Sequence, residues 1–246
     1  MRVRIKIFGI LLTVLVLSAC EDSDIHGPGV LQTDVRFLSG FHSVSISDNI
    51  ETNFYFHHQQ TGVVEITGGS KLLPKIATEV KDSVLILKDN NTWQWLRNNE
   101  SGKIVVNIYT DSIASIRYDG YANIRFQDTL KIKKFKFESV SGMGKISLLL
   151  KNDSTKILTH TGAPDVEVTG SSDYFYLFTH SHGTVQAFEF QADNVFVHSK
   201  STANCFISPS QTLGATIEYL GNVYFRNNPT ILWLDEKHQG RLIQVE

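Results

Sequence analysis

The chain has 246 residues and a formal charge of −2, with 20% charged and 41% hydrophobic residues, enough apolar material for one large domain or two small ones. Residues 1–19 carry three basic and no acidic side chains, so the remainder is −5, and no basic stripe offers itself to nucleic acid. Two cysteines, Cys20 and Cys205, exclude a disulfide framework, and no Cys/His spacing suggests a structural zinc site.

The amino terminus is laid out for export. Arg2, Arg4 and Lys6 precede an apolar run from Ile7 to Leu17, closed by Leu17-Ser18-Ala19-Cys20. The run is shorter than the ~20 apolar residues that span a bilayer. Acidic residues from Glu21 to Asp24 argue further against an uncleaved membrane helix. Leu-Ser-Ala-Cys resembles the bacterial lipobox, which implies a diacylglyceryl group on Cys20 and cleavage before it. The expectation is a signal peptide over 1–19, a lipidated Cys20 opening a tether over 20–33, and a single domain over 34–246. The acidic stretch after Cys20 loosely resembles the surface-export signal of Bacteroidetes lipoproteins, so either membrane face stays open.

From Phe41 the chain reads as strands. Val44, Ile46, Ile50, Phe54 and Phe56 alternate, and Val64–Ile66, Val84–Leu87 and Ile104–Ile108 are further β-rich pieces. Residues 71–80 form the one weak helix or turn candidate. The second half repeats, with Gly120, Gly142, Gly162, His182, Thr202 and Gly221 standing about twenty residues apart. Twenty residues at ~3.3 Å each suit three short strands with turns, one rung of a solenoid. Phe137, Ile157, Leu177 and Val197 then align as an apolar ladder. Ser139, Thr159, Thr179 and Ser199 align as a hydroxyl ladder on the same face. The fold class is therefore all-β: a right-handed parallel β-helix, or β-solenoid, with rungs of about twenty residues. Ile231–Leu234 and Leu242–Val245 complete or cap its C-terminal end. A two-sheet sandwich is the alternative, but it predicts no ladders.

The segments from Phe41 to Ile50, from Gly69 to Val80 and from Ile104 to Gly120, followed by the repeats, resemble the DUF2807 family, the putative autotransporter adhesin head GIN domain common in Bacteroidetes. The resemblance covers about residues 41–225. It implies a β-helix-like fold and a cell-envelope location, and no chemistry. The turns at His182 and Thr202 depart from it by lacking glycine.

Candidate sites are few. Trp93 and Trp95, in an Asn-rich loop, suit a binding surface for a glycan or protein, because Trp is enriched at binding hot spots. The same loop also suits an end cap, the favoured reading. His160 and His180 align one rung apart and could share a metal ion. Lys200 follows in the same ladder and no carboxylate aligns, which favours a solvated polar ladder; no metal or cofactor is expected. Asp119 and Asp165 sit at separate turns without further aligned acids, so no catalytic pair forms. Cys205, between Asn204 and Phe206, reads as a small core residue. Asp82-Ser83-Val84, Asp111-Ser112-Ile113 and Asp128-Thr129-Leu130 each resemble the O-glycosylation sequon of Bacteroidetes envelope proteins. The function expected is a non-enzymatic binding or adhesion module, lipid-anchored to the outer membrane. The alternatives are a structural envelope component that assembles with other proteins and, third, a glycan-processing enzyme.

Overall fold

The structure is a computed structural model that describes residues 27–56, 61–92 and 100–246. Its parallel strands stack into a three-faced solenoid. The first face runs, in spatial order, through β6 (Val84–Asp89), β2 (Ser43–Asp48), β8 (Ser115–Gly120) and β11 (Lys134–Ser139). It continues through the final segments of the long strands β12 (Met143–Thr159), β13 (Ala163–Thr179), β14 (Val185–Ser199) and β15 (Cys205–Ile217), and ends on β17 (Thr230–Glu236). The second face runs from β7 (Ile104–Thr110) through β3 (Ile50–Phe56) and β9 (Ile124–Phe126). The opening segments of β12 to β15 follow, then β16 (Val223–Phe225) and β18 (Leu242–Gln244). β10 (Leu130–Lys131) and the middles of the long strands form the narrow third face.

The ladders expected from the repeat are present in register. Phe137 pairs with Ile157, Ile157 with Leu177, and Leu177 with Val197. The ladder extends back through Ile116 to Val44 and forward to Ala215, and all seven side chains are at most 3% exposed. Burying each large member contributes about 1.5–3 kcal/mol, so the column is a main source of stability. Ser139, Thr159, Thr179 and Ser199 are buried two positions on. A buried hydroxyl is costly without a partner: Thr159 donates to Thr179 at 3.0 Å and Ser181 donates to Thr159 at 3.0 Å, whereas the Ser199 hydroxyl has no hydrogen-bond partner among the described residues. Parallel in-register pairing of this kind excludes the sandwich.

Four features go beyond the sequence reading or adjust it. Residues 71–80 hold a short 3-10 turn, Leu73–Lys75, and then a strand, β5 (Ile76–Lys81), which pairs antiparallel with β6. Pro74 suits the start of a turn but cannot continue a helix built from so few residues. The tether is shorter than read, because β1 (Leu31–Phe37) begins inside it and pairs antiparallel with β4 (Val63–Gly69). β4 itself pairs antiparallel with β7. The rungs are also not sequential at the N-terminal end: β2 lies between β6 and β8, so the rung that comes first in the chain is second in space. Finally, of the two readings of the C-terminal segments, β17 and β18 complete the stack, pairing in parallel with β15 and β16, and every residue of β17 is exposed.

The turns follow local sterics. Gly162 takes φ +82°, and a Cβ there would lie 2.2 Å from the Gly142 carbonyl oxygen. In the following rung His182 holds that position and the glycine moves to Gly183, where a Cβ would lie 2.0 Å from the Pro164 carbonyl oxygen. The missing glycine is displaced by one residue.

Candidate binding surface

Alternation along a strand sends every second side chain outward. In β13 the inward residues are Phe175, Leu177 and Thr179, all buried, and the outward ones are Tyr174, Tyr176 and Phe178. Outward positions of a solvated sheet are ordinarily polar; here they are aromatic. The register extends the pattern: Tyr176 pairs with Phe196, Phe196 with Gly214, and Gly214 with Trp233. The Trp233 indole leans across Gly214, where no side chain obstructs it, and stacks on Phe196 at 5.3 Å and 7°. Tyr174 is 54% exposed and Trp233 46%. The N-terminal half of the same column is basic instead, with Lys136 paired to Lys156 and Lys156 to Tyr176.

Beside this strip runs an ionic column centred on Phe178. Its ring lies 5.6 Å from that of His160 and 5.4 Å from that of His198. Each imidazole turns away from Phe178 toward a glutamate. His160 Nε2 is 3.1 Å from Glu138 and His198 Nε2 is 3.0 Å from Glu218. Lys136 adds a bond to Glu138 at 2.8 Å, with Arg117 at 3.7 Å. Lys237 and Lys200 close on Glu218 at 3.1 and 3.2 Å. The Lys136 ammonium, and after it His160, holds the Glu138 carboxyl below the usual carboxylate range against the opposing effect of burial. Lys237 first, then His198 and Lys200, draw the Glu218 carboxyl down to about 2. Two glutamates thus fix two histidines as flanks of one aromatic ring.

The second face carries a smaller aromatic stack. Phe188, Phe206 and Tyr224 follow one another at 5.2 and 5.1 Å, and the Arg226 guanidinium sits 4.2 Å above the Phe188 ring. At the edge of the third face an open groove is lined by Lys131, Lys151, Asp153, Asp173 and Asp193. The register sets the three aspartates one per rung along a single line. An acid and a base acting on one bond need to flank it, and among the described residues lining the groove the carboxylates form this single row.

The residues singled out from sequence are dispersed. Cys20, Trp93 and Trp95 lie outside the described residues. His160 and His180 do not converge: His160 is bound to Glu138, and His180 is exposed on the turn that follows β13. Among the described residues no group of three or more metal-ligating side chains forms. Asp119 and Asp165 are turn acceptors, taking bonds from the Ser141 hydroxyl and from Thr184. Cys205 is fully buried, and burial pushes its thiol up to about 12. That is the opposite of an activated nucleophile.

The sequence search places the fold in a family. The model of DUF2807, putative auto-transporter adhesin, head GIN domain, matches residues 40–229, and the chain belongs to that family. Three solved structures share the architecture. A putative adhesin from Bacteroides fragilis is 18% identical with a TM-score of 0.78, covering 88% of this chain and 97% of its own. A putative adhesin from Parabacteroides merdae is 18% identical with a TM-score of 0.64, covering 89% and 98%. A putative lipid binding protein from Parabacteroides distasonis is 16% identical with a TM-score of 0.67, covering 89% and 98%. No curated protein matches the sequence. The family and these neighbours bear the names of putative adhesins or binding proteins, and among the described residues no helix is long and apolar enough to cross a membrane.

Proposed function

We propose that this chain is a non-catalytic binding or adhesion module held on the outer membrane of the cell envelope by a lipid on Cys20. The observation that carries the binding reading is the outward aromatic strip of Tyr174, Tyr176, Phe178 and Phe196, on a face where strand alternation calls for polar side chains. Flat rings held at rung spacing by a rigid sheet lose little freedom on binding, which suits recognition of a sugar ring or an aromatic protein surface. The anchoring reading rests on the lipobox-like run ending at Cys20. It gains support from Leu31, Val35 and Phe37, which lie on one side of β1, eleven or more residues beyond that cysteine, and are 47–80% exposed. Such side chains suit contact with a nearby bilayer surface.

Two measurements test the two halves. The purified protein on a glycan array, beside a pull-down from envelope extract, separates a glycan partner from a protein one. Vesicle co-sedimentation covers the ligand class named for the Parabacteroides distasonis relative. Binding in none of the three sinks the adhesion reading. Fatty-acid labelling of cells expressing wild type or Cys20→Ser reports on the anchor, and equal label on both would end that reading. Trp93 and Trp95 are the second candidate contact, tested by their double alanine variant in the same binding assays. The competing role, a structural component that assembles with other envelope proteins, is favoured by one observation, the uncovered strand at the C-terminal end.

A further inference from the structure

The net negative charge of the chain conceals a local basic patch. Lys134, Lys136 and Lys156 take outward positions on β11 and on the first-face segment of β12. Glu138 is the one carboxylate among the outward residues of those two segments, and Lys136, His160 and Arg117 already hold it. Lys134 and Lys156 form no ion pair among the described residues. The register also sets Lys156 directly beside Lys136, one rung away, where like charges repel. Elsewhere on the solenoid such charges are neutralised: Lys145 meets Glu167 at 2.7 Å, and Lys200 and Lys237 both meet Glu218. Fold stability does not account for lysines left without a countercharge in this way. An anion from outside would supply one.

We infer that the first face binds an acidic glycan, a chain of sugar rings bearing carboxylate or sulfate groups, with its rings on the aromatic strip and its anions on Lys134, Lys136 and Lys156. The inference rests on the reading of that strip as a binding surface and names what the strip takes. Two adjacent outward columns carry it. One runs Lys136, Lys156, Tyr176, Phe196, and the other runs Lys134, Ser154, Tyr174, Asn194. Successive members stand ~4.8 Å apart, close to the length of one sugar unit. A ring stacked on Tyr176 therefore brings the acid group of the next unit over Lys156, where a charge-assisted hydrogen bond can form. On the groove side the two columns are bordered by Asp153, Asp173 and Asp193. These acids would repel an anion that strayed across the edge, so the ligand runs along the solenoid axis. A nucleic acid, with a phosphate at every unit, suits the face less well. The chain after residue 19 is −5 overall, and its lysines and rings occupy successive stretches of each column without interleaving.

Ligands matched in their rings and differing in charge test it. The probes are oligogalacturonate, oligomannuronate and dextran sulfate, each beside its carboxyl-reduced or unsulfated counterpart. The detergent-purified full chain should bind at least one acidic probe about tenfold or more tightly than that counterpart, and added salt should erase the difference. Lys134→Gln with Lys156→Gln should abolish the preference, a loss of about tenfold for two solvated ion pairs. The melting temperature of this variant should stay the same or rise, because neither lysine has a partner to lose. Equal binding of charged and uncharged probes would overturn the inference and leave the aromatic strip standing as a binding surface. A charge preference that survives Tyr174→Ala with Tyr176→Ala would overturn both. Binding of none of the probes sinks the inference, as does tighter binding to single-stranded polythymidylate or to phosphatidylserine vesicles. A fall in the melting temperature of the lysine variant would also overturn it, by showing that the two ammonium groups serve the fold.

Discussion

Trp233 reaches across Gly214 to stack on Phe196, two positions along the same outward column. The contact exists because residue 214 has no side chain: a Cβ there would lie 2.5 Å from two atoms of the indole. Gly214→Ala should therefore lift the ring off Phe196. The near-ultraviolet circular dichroism of the folded protein should change while its far-ultraviolet spectrum does not. The melting temperature should fall, by an amount corresponding to about 0.5–1.5 kcal/mol for the lost aromatic pair. An unchanged near-ultraviolet spectrum would mean that the indole is not held by this gap.

The interior ladder makes a sharper demand. Leu177 sits between Ile157 and Val197 with no exposed surface. Leu177→Ala should cost about 2–5 kcal/mol, read as a lower midpoint in urea. Leu177→Asp should prevent folding, because a lone carboxylate has no partner in that column. A stable Leu177→Asp variant would place this face of the strand outside.

Cys205 offers a probe of the same interior. Its burial, which raises the thiol to about 12, should keep it unreactive toward a thiol reagent at neutral pH in the native protein. Modification should appear only as denaturant unfolds the domain, tracking the loss of β signal. Labelling of the folded protein at the rate of a free thiol would contradict the packing around β15.

The Glu218 cluster predicts a pH dependence with a definite sign. Lys237, His198 and Lys200 lower the carboxyl from 4.5 to about 2 in the folded chain. A lowered folded-state value contributes stability above the unfolded value and loses it as pH falls. The melting-temperature advantage of wild type over Glu218→Gln should therefore be full above about pH 5 and shrink between pH 4.5 and pH 2. The cluster is solvated, so the advantage should also decline with added salt. An advantage that grows on acidification would refute the assigned network.

The repeat was legible because a parallel in-register stack forces equivalent residues into columns, and Phe137, Ile157, Leu177 and Val197 recur at the period that the geometry needs. The N-terminal rungs were not legible. β6 and β7 close onto β2 and β3 from the outside, and that swap depends on long-range pairing that leaves no trace in spacing. The outward strip was missed although its signal stood in the sequence. Once Leu177 is assigned inward, Tyr174, Tyr176 and Phe178 must point outward, where an aromatic run is out of place. His160 shows the limit of alignment: it falls in column with His180, but Glu138, one rung earlier, captures its ring. Backbone register fixes where side chains start, and local charge decides where they end.

The central claim is that this family member binds through rings on its first face. The direct measurement is the affinity of Tyr174→Ala with Tyr176→Ala for whichever glycan or envelope protein the wild type retains, with melting followed on the same sample. Tyr174 is more than half exposed and Tyr176 half-buried, so the double variant should stay folded. If the strip is the contact, binding should weaken about 30-fold or more, as for loss of a hot-spot ring worth about 2 kcal/mol. Unchanged affinity in a folded double variant would contradict the account and move the site off this face.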